Sequence, residues 1–170
     1  MPEFLQTGAV RTAYECQGSG PVVVLMHGAE ASRQMFLALA ERLAPHMTVL
    51  AYDQRDCGDT QGPSQACTLA DLADDAADLI RGLGHARVHV FGSSFGGRVA
   101  QALAVRHTAL VDKLVLASTW PLPHSLMTLN PAGAEAYFSP KRFCNCVLNC
   151  AVCLRMCSLL PNDLRAASRR

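Results

Sequence analysis

An α/β fold, with a mostly parallel sheet and helices on both faces, follows from three observations. Short continuous apolar runs, such as 22–26 and 48–52, alternate with stretches of helical periodicity. That strand–helix alternation repeats three times and then ends on a further apolar run, 114–117. Apolar runs without polar alternation are what strands covered on both faces require, and regular alternation with helices builds a parallel sheet. The third observation is a serine flanked by glycines, Gly92-Ser93-Ser94-Phe95-Gly96, between a predicted strand and a predicted helix.

Residues 7–16 alternate loosely and read as an early strand or hairpin arm, followed by a turn at Gln17-Gly18-Ser19-Gly20-Pro21. Residues 22–26 form the first buried strand. Ser32 reads as an N-cap for a helix whose apolar positions are Met35, Phe36, Leu39, Ala40 and Leu43. Residues 48–52 are the next buried strand, and 53–66 form a loop rich in Gly, Asp and Gln. Thr68 caps a helix with the stripe Leu69, Leu72, Ala76, Leu79, Leu83, while Asp71, Asp74, Asp75 and Asp78 are expected on its solvated face. Gly82-Leu83-Gly84 ends it. Residues 86–91 are a strand, 97–106 a helix and 114–117 the last strand.

The chain has 170 residues, enough for one domain with a sizeable core. Its net charge of +1 argues against nucleic-acid or membrane-surface binding. No apolar run is long enough to span a bilayer, and the N-terminus carries no secretory pattern, so a cytoplasmic protein is expected. The near-neutral total conceals two regions. Residues 1–140 have a net charge of −4, whereas 141–170 have +5 and hold five of the eight cysteines, Cys144, Cys146, Cys150, Cys153 and Cys157. Structural zinc sites favour paired C-x-x-C knuckles, and only Cys150–Cys153 has that spacing, so no metal or cofactor is expected. Residues 141–170 are expected to be an atypical, non-native tail arising from a frameshift or truncation.

In a strand–turn–helix setting, G-x-S-x-G is the pattern of a nucleophile elbow. The turn leaves no room for side chains two positions before and after the serine, hence Gly92 and Gly96. The register selects Ser94, not Ser93. Two further stretches stand in the order this arrangement needs: a strand ending in His27-Gly28, and Tyr52-Asp53-Gln54-Arg55-Asp56-Cys57-Gly58-Asp59-Thr60. Together these resemble the N-terminal part of an α/β-hydrolase of the single-domain serine hydrolase type, over residues 7 to about 120.

The resemblance implies a truncated α/β-hydrolase fold: core in 1–120, the start of a lid in 121–140, then the tail. It implies an esterase- or lactonase-like enzyme acting on a small-molecule acyl substrate. Ser94 would be the catalytic nucleophile. The backbone N–H groups of Phe95 and Ala29 would form the oxyanion hole. Glu30, beside Ala29, would oppose a developing oxyanion unless its side chain turns away. His27 is expected to be structural, and Asp53 and Arg55 to fix their loop by ion pairs or backbone hydrogen bonds. Cys57 and Cys67 are expected to be free thiols. Trp120 and Phe95 stand where an acyl pocket or the core could use them. In such enzymes the triad acid and histidine follow the serine in the chain. After Ser94 the only histidines are His107, expected at the far end of the elbow helix, and His124, in the lid-like loop. The acid and base are therefore expected to be absent and catalysis impaired, with a non-catalytic binding module as the alternative.

Overall fold

The computed structural model describes residues 1–64 and 66–122. The expected lid (from residue 123 on), His124 and the cysteine-rich tail lie outside them. Nine regular elements occur among the described residues: β1 (Glu3–Thr7), β2 (Val10–Gln17), β3 (Val22–Met26), α1 (Leu37–Leu43), β4 (Thr48–Tyr52), α2 (Leu69–Gly82), β5 (Val88–Ser93), α3 (Phe95–Arg106) and β6 (Val111–Ala117). Short 3₁₀ turns precede α1 and β6.

The strands form one sheet in the order β1-β2-β4-β3-β5-β6. The four strands β4-β3-β5-β6 are parallel, and β1 and β2 add an antiparallel hairpin at one edge. The parallel part obeys the rule for continuous apolar runs: β3 and β4 are almost wholly buried. One face packs under α2 and α3 in a core that includes Val24, Met26, Leu50, Val90, Leu79, Ile80 and Leu103. The other face packs under α1 around Val23, Leu25, Val49, Phe36 and Leu43. Phe36 meets Phe91 edge to face at 5.8 Å. Helices thus cover both faces, as the sequence predicts. No helix among the described residues is long and apolar enough to cross a membrane.

Several boundaries differ from the sequence expectation. Thr7 ends the first arm of a hairpin that begins at Glu3, and the second arm runs Val10–Gln17. Ser32 precedes a 3₁₀ turn and makes no side-chain cap, so α1 starts only at Leu37. Thr68 does cap α2, in a reciprocal box with Asp71. The acidic face of α2 is less free than expected. Asp75 takes both nitrogens of the Arg55 fork at 2.8 and 2.9 Å, and Asp74 pairs with Arg106 and His107 at the end of α3. Strand β6 begins three residues early, at Val111, because it continues the ladder with β5.

Register aligns the strand ends. Met26 stands opposite both Tyr52 and Gly92, so β3, β4 and β5 finish level. Strand β3 lies between β4 on one side and β5 on the other. The chain therefore leaves in opposite directions from neighbouring strands, and the carboxyl ends at such a reversal open a crevice. Every non-glycine residue with positive φ among those described follows a parallel strand at this edge: Glu30 (54°) after β3, Asp56 (61°) after β4, Ser94 (53°) after β5 and Ser118 (49°) after β6. Each such residue costs of order 1–3 kcal/mol, and strain of this kind collects at functional edges.

The elbow is a steric object. A Cβ on Gly92 would lie 2.6 Å from both the Gly96 carbonyl oxygen and the Gly97 Cα, and one on Gly96 would run into the carbonyl oxygens of Met26 and His27. Gly96→Ala should therefore push α3 away from β3 and destabilise the fold by about 1–3 kcal/mol. A lowered urea midpoint at unchanged slope is the expected readout.

Candidate active site

Ser94 stands between the last residue of β5 and the first of α3, with φ 53° and ψ −120°. Its amide donates to the Ala117 carbonyl at 2.9 Å, and its own carbonyl accepts from Gly97 N–H at 3.0 Å. Those bonds fix the turn, and the side chain is exposed. Ser93, by contrast, is a strand residue paired with Ala117. The geometric choice of Ser94 over Ser93 follows the glycine register read from the sequence.

The loop leaving β3 passes beside this serine. A methyl group placed on Gly28 would sit 3.4 Å from Ser94 Cβ and 3.8 Å from Ser94 Oγ. Ala29, the next residue, is exposed. Phe95 opens α3, where the free N–H groups and the helix dipole favour negative charge. Among the described residues neither the Ala29 N–H nor the Phe95 N–H has an acceptor. Phe95 is partly buried and packs against the core under α2 and α3. Trp120 is 80 % exposed. Glu30 is exposed as well, in left-handed backbone.

His27 is buried and fully engaged. Its Nε2 accepts from the Gln54 amide at 3.0 Å, so the ring proton belongs on Nδ1, which donates to the Gly28 carbonyl at 2.8 Å. Burial pushes its pKa below the ordinary value; the Gly28 bond and the nearby Asp53 charge only partly oppose that. A neutral ring with both nitrogens occupied cannot reach for the Ser94 proton. The structural role read for His27 is what the geometry displays.

Asp53 and Arg55 do fix the loop, but with different partners from each other. Asp53, wholly buried, accepts from the Arg33 amide at 2.7 Å and the Asp59 amide at 2.9 Å, and its other contact is the Arg33 guanidinium. Arg33 also reaches Asp59 at 2.9 Å and Glu15 at 3.4 Å. Arg55 goes instead to Asp75 on α2. Gly58 has positive φ, and a Cβ there would strike the Asp53 carboxylate.

Sequence reasoning missed Arg33 and Gln101. Arg33 lies three residues before Phe36 and seven before Ala40, on the stripe that faces the core, and a cation there needs a buried carboxylate. Gln101 is likewise polar, the one such residue among the buried positions of α3. Its Nε2 donates to the carbonyls of Gly97 and Trp120, and its Oε1 accepts from Leu122 N–H at 3.0 Å, so it holds the segment leaving β6 against α3. His107 caps the far end of α3, bonded to Asp74 and Arg81 and remote from Ser94 in the fold, as expected. Cys57 and Cys67 are free thiols.

A parallel sheet sandwiched by helices, with a strained serine at a strand-to-helix turn beside the loop of a neighbouring strand, defines a hydrolase-type α/β protein. The family model for the alpha/beta hydrolase fold matches residues 21–156, and the chain belongs to that family. It is 33% identical over 116 residues to an uncharacterized protein of Mycobacterium tuberculosis, spanning 68% of this chain and 34% of that one. It is 31% identical over 128 residues to the RutD protein of Agrobacterium fabrum, named for carbamate hydrolysis, spanning 69% and 49%. The chain thus spans about a third to a half of the length of these relatives. Among solved structures, an esterase from Exiguobacterium antarcticum superposes with a TM-score of 0.66 at 30% identity, covering 70% of this chain and 46% of that one. A hydrolase from Pseudomonas aeruginosa gives 0.67 at 32%, covering 75% and 50%.

The buried neutral His27 has a stability consequence. Its pKa is lower in the folded chain than unfolded, so the unfolded chain binds the extra proton, and stability falls as pH drops below about 6.5. His89, also depressed chiefly by burial, acts in the same direction. Denaturation midpoints measured from pH 7.5 to 5.5 should decline, and His27→Gln should flatten the decline without abolishing it.

Proposed function

We propose that the chain is a serine hydrolase of carboxylic ester, lactone or related acyl bonds, with Ser94 as nucleophile. Ser94 Oγ attacks the acyl carbon and gives up its proton to a base. The carbonyl electron pair moves onto oxygen, and the N–H groups of Phe95 and Ala29 receive that oxyanion. The leaving group departs as the tetrahedral intermediate collapses to an acyl-enzyme, which water then cleaves. The single observation that carries the reading is the backbone of Ser94, held at φ 53° in a turn with no room for side chains at Gly92 and Gly96. Preorganised donors at an oxyanion are the largest catalytic term in such chemistry, each worth about 100- to 1000-fold in rate. The carbamate and ester names of the relatives agree with an acyl or carbamoyl carbon as the electrophile.

His27, at the start of the loop beside Ser94, is held by the Gln54 amide and the Gly28 carbonyl and is not the base of this reading. A second reading, a binding module that keeps the elbow without the reaction, draws on the same observation. Fluorophosphonate capture tests both. On the proposed reading Ser94 is phosphonylated, the rate climbs with pH as the hydroxyl is deprotonated by solvent base, and Ser94→Ala abolishes capture. A chain that is folded yet never captured at any pH is the binding module. A rate that levels off near neutral pH reveals an internal base and overturns the expected impairment.

A further inference from the structure

We propose that Asp53 and Gln54, the two residues that leave β4, are positioning residues that set the direction of the Ala29 N–H by holding both ends of the loop between β3 and α1. The inference rests on the reading of that N–H as an oxyanion donor, and it deepens it.

Gln54 holds the start of the loop. Its amide occupies His27 Nε2 at 3.0 Å, and its side-chain Nε2 donates to the His27 carbonyl at 2.6 Å. Since the first bond leaves the ring proton on Nδ1, the 3.3 Å approach of the Gln54 side-chain nitrogen to Nδ1 is a contact between two donors, and the Nδ1 proton goes to the Gly28 carbonyl. In a trans peptide the C=O and the following N–H point in opposite directions. With the Gly28 oxygen drawn to the imidazole, the Ala29 N–H must point away from it. Gln54 is buried, and its Oε1 has no partner among the described residues. The amide is thus committed to this one carbonyl and not to a network of its own.

Asp53 holds the end of the loop. Its carboxylate accepts from the Arg33 amide at 2.7 Å and faces the Arg33 guanidinium. Both clamps come from adjacent residues of one strand end, so residues 28–32 span two fixed points. Glu30 inside that span takes positive φ, as a short bridge between fixed ends demands. The clamp also reaches the second donor. The His27 carbonyl that Gln54 caps is one of the two oxygens lying against Gly96, in the first turn of α3 beside Phe95. One carbonyl therefore ties the two proposed donors into a single unit.

The test uses the full chain with Gln54→Leu, and Asp53→Asn as the second variant should the first not fold. In the free protein, NMR follows the His27 Nδ1–H proton. Exchange at least tenfold faster in either folded variant is expected, and unchanged protection overturns the clamp whether or not Ser94 reacts. In the fluorophosphonate adduct of the unsubstituted chain, the Ala29 and Phe95 amide protons should both move downfield on the phosphonyl oxygen. In Gln54→Leu the Phe95 shift should persist while the Ala29 shift is lost, with capture slowed about 10- to 100-fold. A merely structural role would lower the melting temperature and leave the Ala29 shift intact. Absence of capture in the unsubstituted chain sinks the nucleophile reading alone, since the exchange measurement stands without it.

Discussion

Everything at the carboxyl edge of the sheet depends on one close approach of backbone to backbone. The first turn of α3 lies so near the end of β3 that the Gly96 Cα rests on the Met26 and His27 carbonyls. Only a residue without Cβ allows it. That contact brings the serine of one strand beside the loop of the next. The level finish of β3, β4 and β5 supplies the geometry, but the missing side chains at Gly92 and Gly96 let the helix start close enough to use it. The strain of Ser94 is supported by the Ala117 and Gly97 bonds on either side.

A second constraint is electrostatic. Asp53 places a carboxyl group in the interior, where an unpaired carboxylate would be untenable. Arg33 compensates it, and two backbone amides complete the shell. Breaking such a pair by removing one partner typically costs about 3–5 kcal/mol, more than a surface ion pair contributes in total. The contrast with Arg87–Asp112 is instructive: that pair also lies within hydrogen-bond distance, at 2.8 Å, but the arginine is largely in water. Burial, not distance, decides which of the two organises the fold.

The parallel sheet, the helices on both faces and the serine turn were legible in the sequence because each leaves a local trace. Apolar runs mark β3 and β4, a cap marks α2, and small residues at fixed offsets mark the elbow. The partners of charged residues left no such trace. Asp53 and Arg55 are two positions apart, yet one points to the loop after β3 and the other to α2, because a loop carries no fixed side-chain period. Arg33 could have been suspected from its place on an apolar stripe, but its partner lies twenty residues away and only the register of β3 with β4 brings them together. Ser32 misled for a related reason: its offset from the apolar stripe suits a cap, but the chain first makes a 3₁₀ turn that needs none.

Gln101 ends its helix-buried side chain in three bonds, two of them to Trp120 and Leu122 beyond the last strand. The exposed indole and the elbow serine are consequently mounted on the same rod. A tilt of that rod would carry both together, whereas a segment anchored on another element would be left behind.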